Sequence, residues 1–571
     1  MYSLKIKALY TELASLLSAY GNTPFGQSQL SATLTFAENL MQQAKQEPDV
    51  VFAQLQLYKS HLPYVLNLCC NCCLATLLVC VRNKVNDSAT VQLLCAALTL
   101  FSFEQKEIEL HYIAQDEHPL GHLDKRLQLA LRQTRQDLWL GSLAINKLIH
   151  SETPSTKKHL ANLAKVQVFL YLGATLALWL TPNKRQARLN FAGCIQHLLR
   201  QSPSAWLECI APLLTYPSLI PVGSAVKYVD KHYLILSVTE QGHIARLYSA
   251  DTEDAGCIVI PPHTSISPMR PQAIGSLHAI DRWWDEQWQQ TLHMHTGVTI
   301  YNQAFKIDAP PALLLALQKQ LNKVEPDIEK VVKLIARDPH YAHYLQATAS
   351  QNSRQKLPVQ DIRHGLMIHG FGRTSSILMQ QALLQRLTQH YFPLQEHFVQ
   401  FSKLRSHLAA TLALESAAML PEEAMSLATF ASAGLFTSAK LKGRSSWVRG
   451  EEHLYDINQL GEPEGRPLLA EHAYKLAQAW QQDPALLKAL ANQHCLPQDA
   501  TGNALHKKLV SILGLSLLQA RQLYFADQAE GDSNQLFVQQ ACECLSLSNS
   551  QLKRIQQEAV GFCHFFWPLA S

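Results

Sequence analysis

The sequence predicts a mainly α-helical protein in which two helical regions are joined by a small antiparallel β module. Three observations lead there. Residues 1–215 show helical periodicity and almost no strand signal, and residues 216–262 break into short β-branched runs between turn residues. From Ala309 onward the chain reads as helix again. At 571 residues it exceeds what one hydrophobic core supports, so about two to four domains are expected. The composition shifts divide it into 1–215, 216–300 and 301–571.

Within the first region, Leu93, Leu94, Ala97, Leu98 and Phe101 follow the i, i+3/i+4 spacing of one helix face. The segment Lys157–Leu180 is apolar on most sides, as a central buried helix would be. Cys69, Cys70, Cys72 and Cys73 form a dense cluster, with Cys80 one heptad beyond. A structural zinc site needs a second pair at suitable spacing, and none follows. Leu66, Leu74, Leu77 and Leu78 surround the cluster, so the thiols are expected to pack as small hydrophobes, with metal or redox chemistry as the alternative.

The β module is expected from the runs Ala225–Val229, Tyr233–Val238, Ile244–Tyr248 and Cys257–Ile260. No helical crossover fits between them, which excludes a parallel sheet. Trp283, Trp284 and Trp288 follow on an expected helix, the last two spaced to pack as a wedge in or between domains, with ligand stacking as the alternative. Gly370 and Gly372 are expected to end one helix and Thr374 or Ser375 to cap the next. Pro421 with Glu422 and Glu423 makes a helix start, with negative charge at the positive end of the dipole. Ala424, Leu427, Ala428 and Ala431 then share a face, and the helices continue through Leu515–Leu518 and Leu552–Val560.

Composition narrows the function. Charged residues are 16% of the chain, below the usual quarter, which implies surface hidden against other domains or partners. The balance of 49 basic to 45 acidic residues gives no field that demands nucleic acid. The apolar stretches Leu66–Val81 and Val166–Leu180 are interrupted and fall short of the roughly 20 residues of a membrane span. The N-terminal segment lacks a long apolar core and a small-residue cleavage site. A cytoplasmic protein with no membrane partner is expected.

The segment Ala433-Gly434-Leu435-Phe436-Thr437-Ser438 resembles the Gly-Leu-Leu-His-Asp frame of the HD phosphohydrolase superfamily. Thr437 and Ser438 stand where the metal-binding His-Asp pair would be. Residues 308–560 resemble the HDOD family, the HD-related output domain of bacterial signalling proteins. The likeness rests on Val331–Ile335 before Asp338-Pro339, on Ile362, Leu366 and Gly370, on Ala433-Gly434-Leu435, on Ala479-Trp480 and on Asn492-Gln493-His494. It implies an all-helical HD fold, usually without an intact metal centre, linked to regulation and protein interaction. Residues 1–215 resemble a degenerate HD-GYP domain, a family that hydrolyses cyclic di-GMP with two or three metals. There, Ala96-Ala97-Leu98 puts Leu100 and Phe101 in the His-Asp slots, Ile149-His150-Ser151-Glu152 resembles the His-His-Glu segment, and Gln167 takes a metal-binding Asp position. The Gly-Tyr-Pro is missing, while Tyr216–Val238 resembles the strand that follows many such cores.

A binuclear phosphodiesterase centre needs several His and Asp groups converging on two ions. The C-terminal half offers Thr437 and Ser438, with Arg405 or Ser406 at the early ligand position and Gly514 at the late one. The N-terminal half retains only His150 and Glu152 of its set. No catalytic or metal residue and no cofactor is therefore assigned. Of the 25 histidines, seven fall between His340 and His407, and His340 with His343 could share a face; scattered surface or packed histidines are the expectation. Lys440, Lys442, Arg444 and Arg449 form a basic loop, expected to be solvated, with anion binding as the alternative. The sequence therefore implies a non-catalytic signal-transduction protein acting through protein–protein interaction. Its rivals are a metal-dependent phosphohydrolase built around His150 and Glu152, and a module that senses an anionic nucleotide at Lys440–Arg449 without turnover.

Overall fold

The computed structural model describes residues 2–116, 119–150, 156–185, 188–239, 242–247, 257–261, 266–269, 276–291, 305–352, 358–461, 468–528 and 531–563. The chain divides into two compact units. The first comprises 1–303 with 391–393 and 443–445; the second comprises 304–390, 394–442 and 446–571. Both are mainly helical.

The first unit is organised around the helix Tyr64–Arg82, buried from Tyr64 to Cys80. This helix is longer than the apolar run suggested, and it is the one described helix long and apolar enough to cross a membrane. Its apolar window is 94% buried inside the protein. The clustered cysteines take part in the core, each 2% exposed or less. Burial pushes the Cys69 thiol up to about 12 and that of Cys70 to about 11. The helices Asp87–Leu100 and Lys165–Leu180 pack against it. Lys165–Leu180 crosses it at Gly173, where a Cβ would lie 2.8 Å from the Thr76 Cα. Asn86 caps the helix Asp87–Leu100 by accepting from Ser88 N at 3.0 Å.

The described strands are β1 (Ala225–Tyr228), β2 (Lys231–Thr239), β3 (Gly242–Leu247), β4 (Cys257–Ile260) and β5 (Ser267–Met269), ordered β4-β3-β2-β1-β5. All pairings are antiparallel. The expected β1–β4 are present. Strand β5 was not expected; Pro268 is tolerated there because β5 is an edge strand. Val229 and Asp230 both have positive φ, as a two-residue hairpin turn requires. Ala225, Leu234 and Leu236 face the helical core, whereas Val226, Tyr233, Ile235, Ala245 and Ile260 form a small cluster of their own. The sheet is tied to the helices by Asp49, which accepts from Tyr216 Oη at 3.1 Å and Ser237 Oγ at 2.9 Å. Trp284 and Trp288 stack with centroids 5.3 Å apart. Trp284 Nε1 donates to Ile235 O at 3.0 Å, so the tryptophans pack within the first unit.

The second unit is built on the paired helices Gln395–Ser416 and Pro421–Thr437, with Leu468–Ala479 and Ala504–Phe525 packed around them. Pro421 is the first helical residue, as expected, and Glu422 and Glu423 occupy the first turn. Gly434 lets Leu468–Ala479 approach; a Cβ there would meet Leu469 O at 2.3 Å. Phe398, Phe401, Trp447, Tyr524 and Phe525 form an aromatic cluster, with Phe398–Trp447 at 4.5 Å and Trp447–Phe525 at 4.9 Å. Each such ring contributes about 1.5–3 kcal/mol by leaving water. One cap differs from expectation. Gly370, at φ 73°, ends Ile362–His369, and the next helix begins at once at Phe371. Thr374 therefore lies inside the first turn, where its hydroxyl donates to Gly370 O at 2.7 Å.

Candidate functional site

The slots of the second unit lie on three of its central helices. Arg405 and Ser406 project from Gln395–Ser416, Thr437 ends Pro421–Thr437 with Ser438 as its cap, and Gly514 sits inside Ala504–Phe525. Arg405 is fully buried. Its Nη1 donates to Ser432 Oγ, and its Nη2 to Gln493 Oε1 and Leu513 O, each at 3.3 Å. Arg405 Nε has no partner among the described residues. Burial alone lowers the guanidinium to about 9, so the group stays charged at neutral pH. Taking such a charge out of water costs several kcal/mol unless paired; among the described residues its acceptors are all neutral. Beside it, Ser406 Oγ and Thr429 Oγ1 meet at 3.0 Å, and Gln380 Nε2 donates to Thr429 at 2.9 Å. The centre of this unit is thus a buried polar network.

The network does not fit a metal. Hydroxyls are poor ligands for a catalytic divalent ion, and the Arg405 cation would repel one. Gly514 cannot be replaced by a carboxylate in place, since even a Cβ would meet Phe537 Cζ at 2.1 Å. No group of three or more His, Cys, Asp or Glu side chains that could hold a metal occurs among the described residues.

Thr437 is directed elsewhere. Its hydroxyl lies 3.3 Å from His472 Nδ1 and also donates back to Ala433 O at 3.2 Å. Thr437, His472, Lys442, Lys475, Asp308, Ile307, Leu476 and Ala479 line an open cleft of about 520 Å³. Trp480 fixes its rim by donating from Nε1 to Ile307 O at 2.8 Å. Lys475 is paired with Glu471 at 2.5 Å. The structure therefore joins the early slot to the residue before the late one through Arg405 and Leu513. It aims Thr437 at a separate cleft whose His472 and Lys475 the sequence reading missed. Their helical spacing on Leu468–Ala479 was the available signal.

The basic loop is solvated at Lys440, which is exposed, but not along its length. Lys442 and Arg444 are each 8% exposed. Arg449 Nε donates to Asp527 Oδ1 at 3.1 Å and its guanidinium lies 4.4 Å from the Phe525 ring. The same Asp527 binds the fully buried Arg521 through Nε at 2.9 Å. Arg449 thus belongs to a buried ion cluster. His340 and His343 are both exposed.

In the first unit Leu100 is buried and Phe101 lies 5.9 Å, ring to ring, from His150. His150 Nδ1 is 3.4 Å from Tyr112 Oη, and burial lowers its pKa to about 4. Glu152 lies outside the described residues. Gln167 does not approach these groups in any described contact. It opens the helix Lys165–Leu180, accepting from Ala164 N at 3.0 Å and donating to Gly141 O at 2.9 Å. Its chemistry is that of a capping residue.

Residues 307–496 match the HDOD domain family. Among solved structures the chain is similar to an HDOD domain protein of Geobacter sulfurreducens, at 16% identity and TM-score 0.35, covering 45% of this chain and 90% of that one. It is also similar to a putative phosphohydrolase of Shewanella amazonensis, at 16% identity and TM-score 0.33, covering 48% and 93%. A putative metal-dependent phosphohydrolase of the same organism gives 13% identity and TM-score 0.32, covering 48% and 99%. The chain matches no curated protein.

Proposed function

We propose that this chain is a non-catalytic, cytoplasmic signal-transduction protein of bacterial type, acting through protein–protein interaction on a degenerate HD scaffold. The observation that carries the reading is the donor set of the HDOD unit: Arg405, Ser406, Thr437, Ser438 and Gly514 stand in the ligand slots. The first 215 residues enter the proposal as a decayed HD-GYP-like domain. Support comes from the apolar Leu100 and Phe101 in its slots, and from the Phe101 ring against His150. The test is turnover. Purified protein supplied with manganese or iron is expected to hydrolyse neither cyclic di-GMP nor bis(p-nitrophenyl) phosphate above background. Metal-dependent hydrolysis lost in His150→Ala would establish the phosphohydrolase instead.

A second reading has its own observation. In the cleft at Thr437, an anionic ligand would meet a hydroxyl, His472, Lys442 and Lys475, opposed by Asp308. Thermal stabilisation by a nucleotide that is abolished in the Lys475→Ala/His472→Ala variant would support it. No shift across a nucleotide panel would remove it.

A further inference from the structure

We propose that the first unit contains a receptor pocket for a small, largely apolar anion carrying one hydrogen-bond donor. The proposal stands independently of the HDOD slots. The N-terminal helix Tyr2–Asn22, the segment 54–62 and the helix Leu277–Thr291 line a half-open pocket of about 420 Å³. It falls within the range of pockets that bury a drug-sized molecule, with apolar walls and a few placed polar groups.

The walls have that character. Ile6, Tyr10, Ala14, Leu62 and Trp284 supply apolar surface. Trp284 is fixed by its bond to Ile235 O, and Tyr10 is buried. The pocket's polar groups divide into used and unused. Lys59 Nζ is paired with Asp281 Oδ1, both largely buried, and lies 5.8 Å from the Tyr10 ring. Gln54 is 3% exposed; its Nε2 donates to Val50 O at 3.2 Å. Its Oε1 accepts no hydrogen bond among the described residues. A buried acceptor left unsatisfied is costly, and a ligand N–H or O–H that meets it recovers that cost. The charges fix the sign of the ligand. Asp281, the acidic residue of the lining, is taken by Lys59, and Arg282 pairs with Glu286 at 3.0 Å; Lys7 adds a positive charge to the lining. An anionic group at this rim is attracted, and a cationic one is not.

Anilinonaphthalene sulfonate has all three features: a fused apolar body, an anionic group and an anilino N–H. Titrated against the full-length protein, with energy transfer from tryptophan as the readout, it is expected to bind saturably at one site per chain. Ala14→Trp fills the cavity and is expected to weaken binding at least about tenfold; Thr11→Trp, on the same helix, serves if that variant does not fold. Gln54→Leu is expected to weaken the anilino compound about tenfold while leaving the phenoxy analogue, which lacks the N–H, unchanged. Lys7→Glu is expected to weaken both about threefold, with the effect fading at high salt. Binding that is unchanged in both tryptophan variants, or weakened equally for the two compounds by Gln54→Leu, would overturn the assignment.

Discussion

The two units fill their helical interiors with different chemistry. In the first, Cys69, Cys72, Cys73, Leu100 and Phe101 are all buried together in one apolar core. In the second, the central helices meet over Gln380, Arg405, Ser406, Thr429, Ser432 and Gln493, a set of hydrogen-bonded polar groups around a charge. Apolar filling is non-directional and contributes in proportion to area. Polar filling contributes little net energy but specifies one arrangement, because each unmet donor or acceptor is penalised. The contrast teaches that a helical centre without metal ligands can be closed in either way; a buried cation is common to both units, as Arg188 on Gln56 O in the first and Arg405 in the second.

Substitution should separate the two cases. Phe101→Ala is expected to destabilise the first unit by about 4 kcal/mol, because it opens a cavity in close-packed surroundings. Arg405→Met is expected to cost the second unit about 1–3 kcal/mol, since it removes a buried charge but leaves Gln493 Oε1 and Leu513 O without their donor. Urea midpoints measured by tryptophan fluorescence would check both. An equal loss in the two variants would erase the distinction. Asp527→Ala sharpens it, because Arg521 and Arg449 would lose their shared carboxylate; a loss of about 4 kcal/mol is expected in the same assay.

The crossings come next in size. Gly173→Ala and Gly434→Ala each press a methyl onto a neighbouring backbone, at Thr76 and at Leu469. Each is expected to cost about 2–3 kcal/mol in its own unit, read as a lower melting temperature. Here the two interiors should behave alike.

Acid sensitivity offers a further comparison. Burial lowers His150 in the first unit and His369 in the second to about 4 from 6.5. Between those values the unfolded chain binds the proton and the folded chain does not, so stability rises with pH across this window. It is fully present above about pH 6.5 and is lost as pH falls toward 4, by at most about 3 kcal/mol for each histidine. His150→Phe and His369→Leu should each flatten the acid limb of the stability profile, measured by urea unfolding at pH 4.5 and 7 (roughly the window edges).

Much of the fold was legible because its signals are local. The strands β1–β4 are bounded by turn residues, and Pro421-Glu422-Glu423 declares a helix start. Strand β5 was not, since three residues containing Pro268 cannot show alternation. Gln167 was read as a ligand slot but caps its helix, a role set by its place three residues past Ala164. Arg405 was read as a substituted ligand, and the structure adds its partners. Its sequence neighbours Phe401, Leu404 and Leu408 already marked a buried face, whereas Ser432, Gln493 and Leu513 lie too far along the chain for any spacing rule. The pocket at Gln54 had no sequence signal, because it is assembled from three distant segments.

The central claim is that these slots hold no catalytic metal. The direct measurement is elemental mass spectrometry of protein expressed in metal-replete medium and purified without chelator. Less than about a tenth of an equivalent of any transition metal per chain is expected. About one or two equivalents, retained through gel filtration and removed together with phosphodiesterase activity by a chelator, would contradict the account.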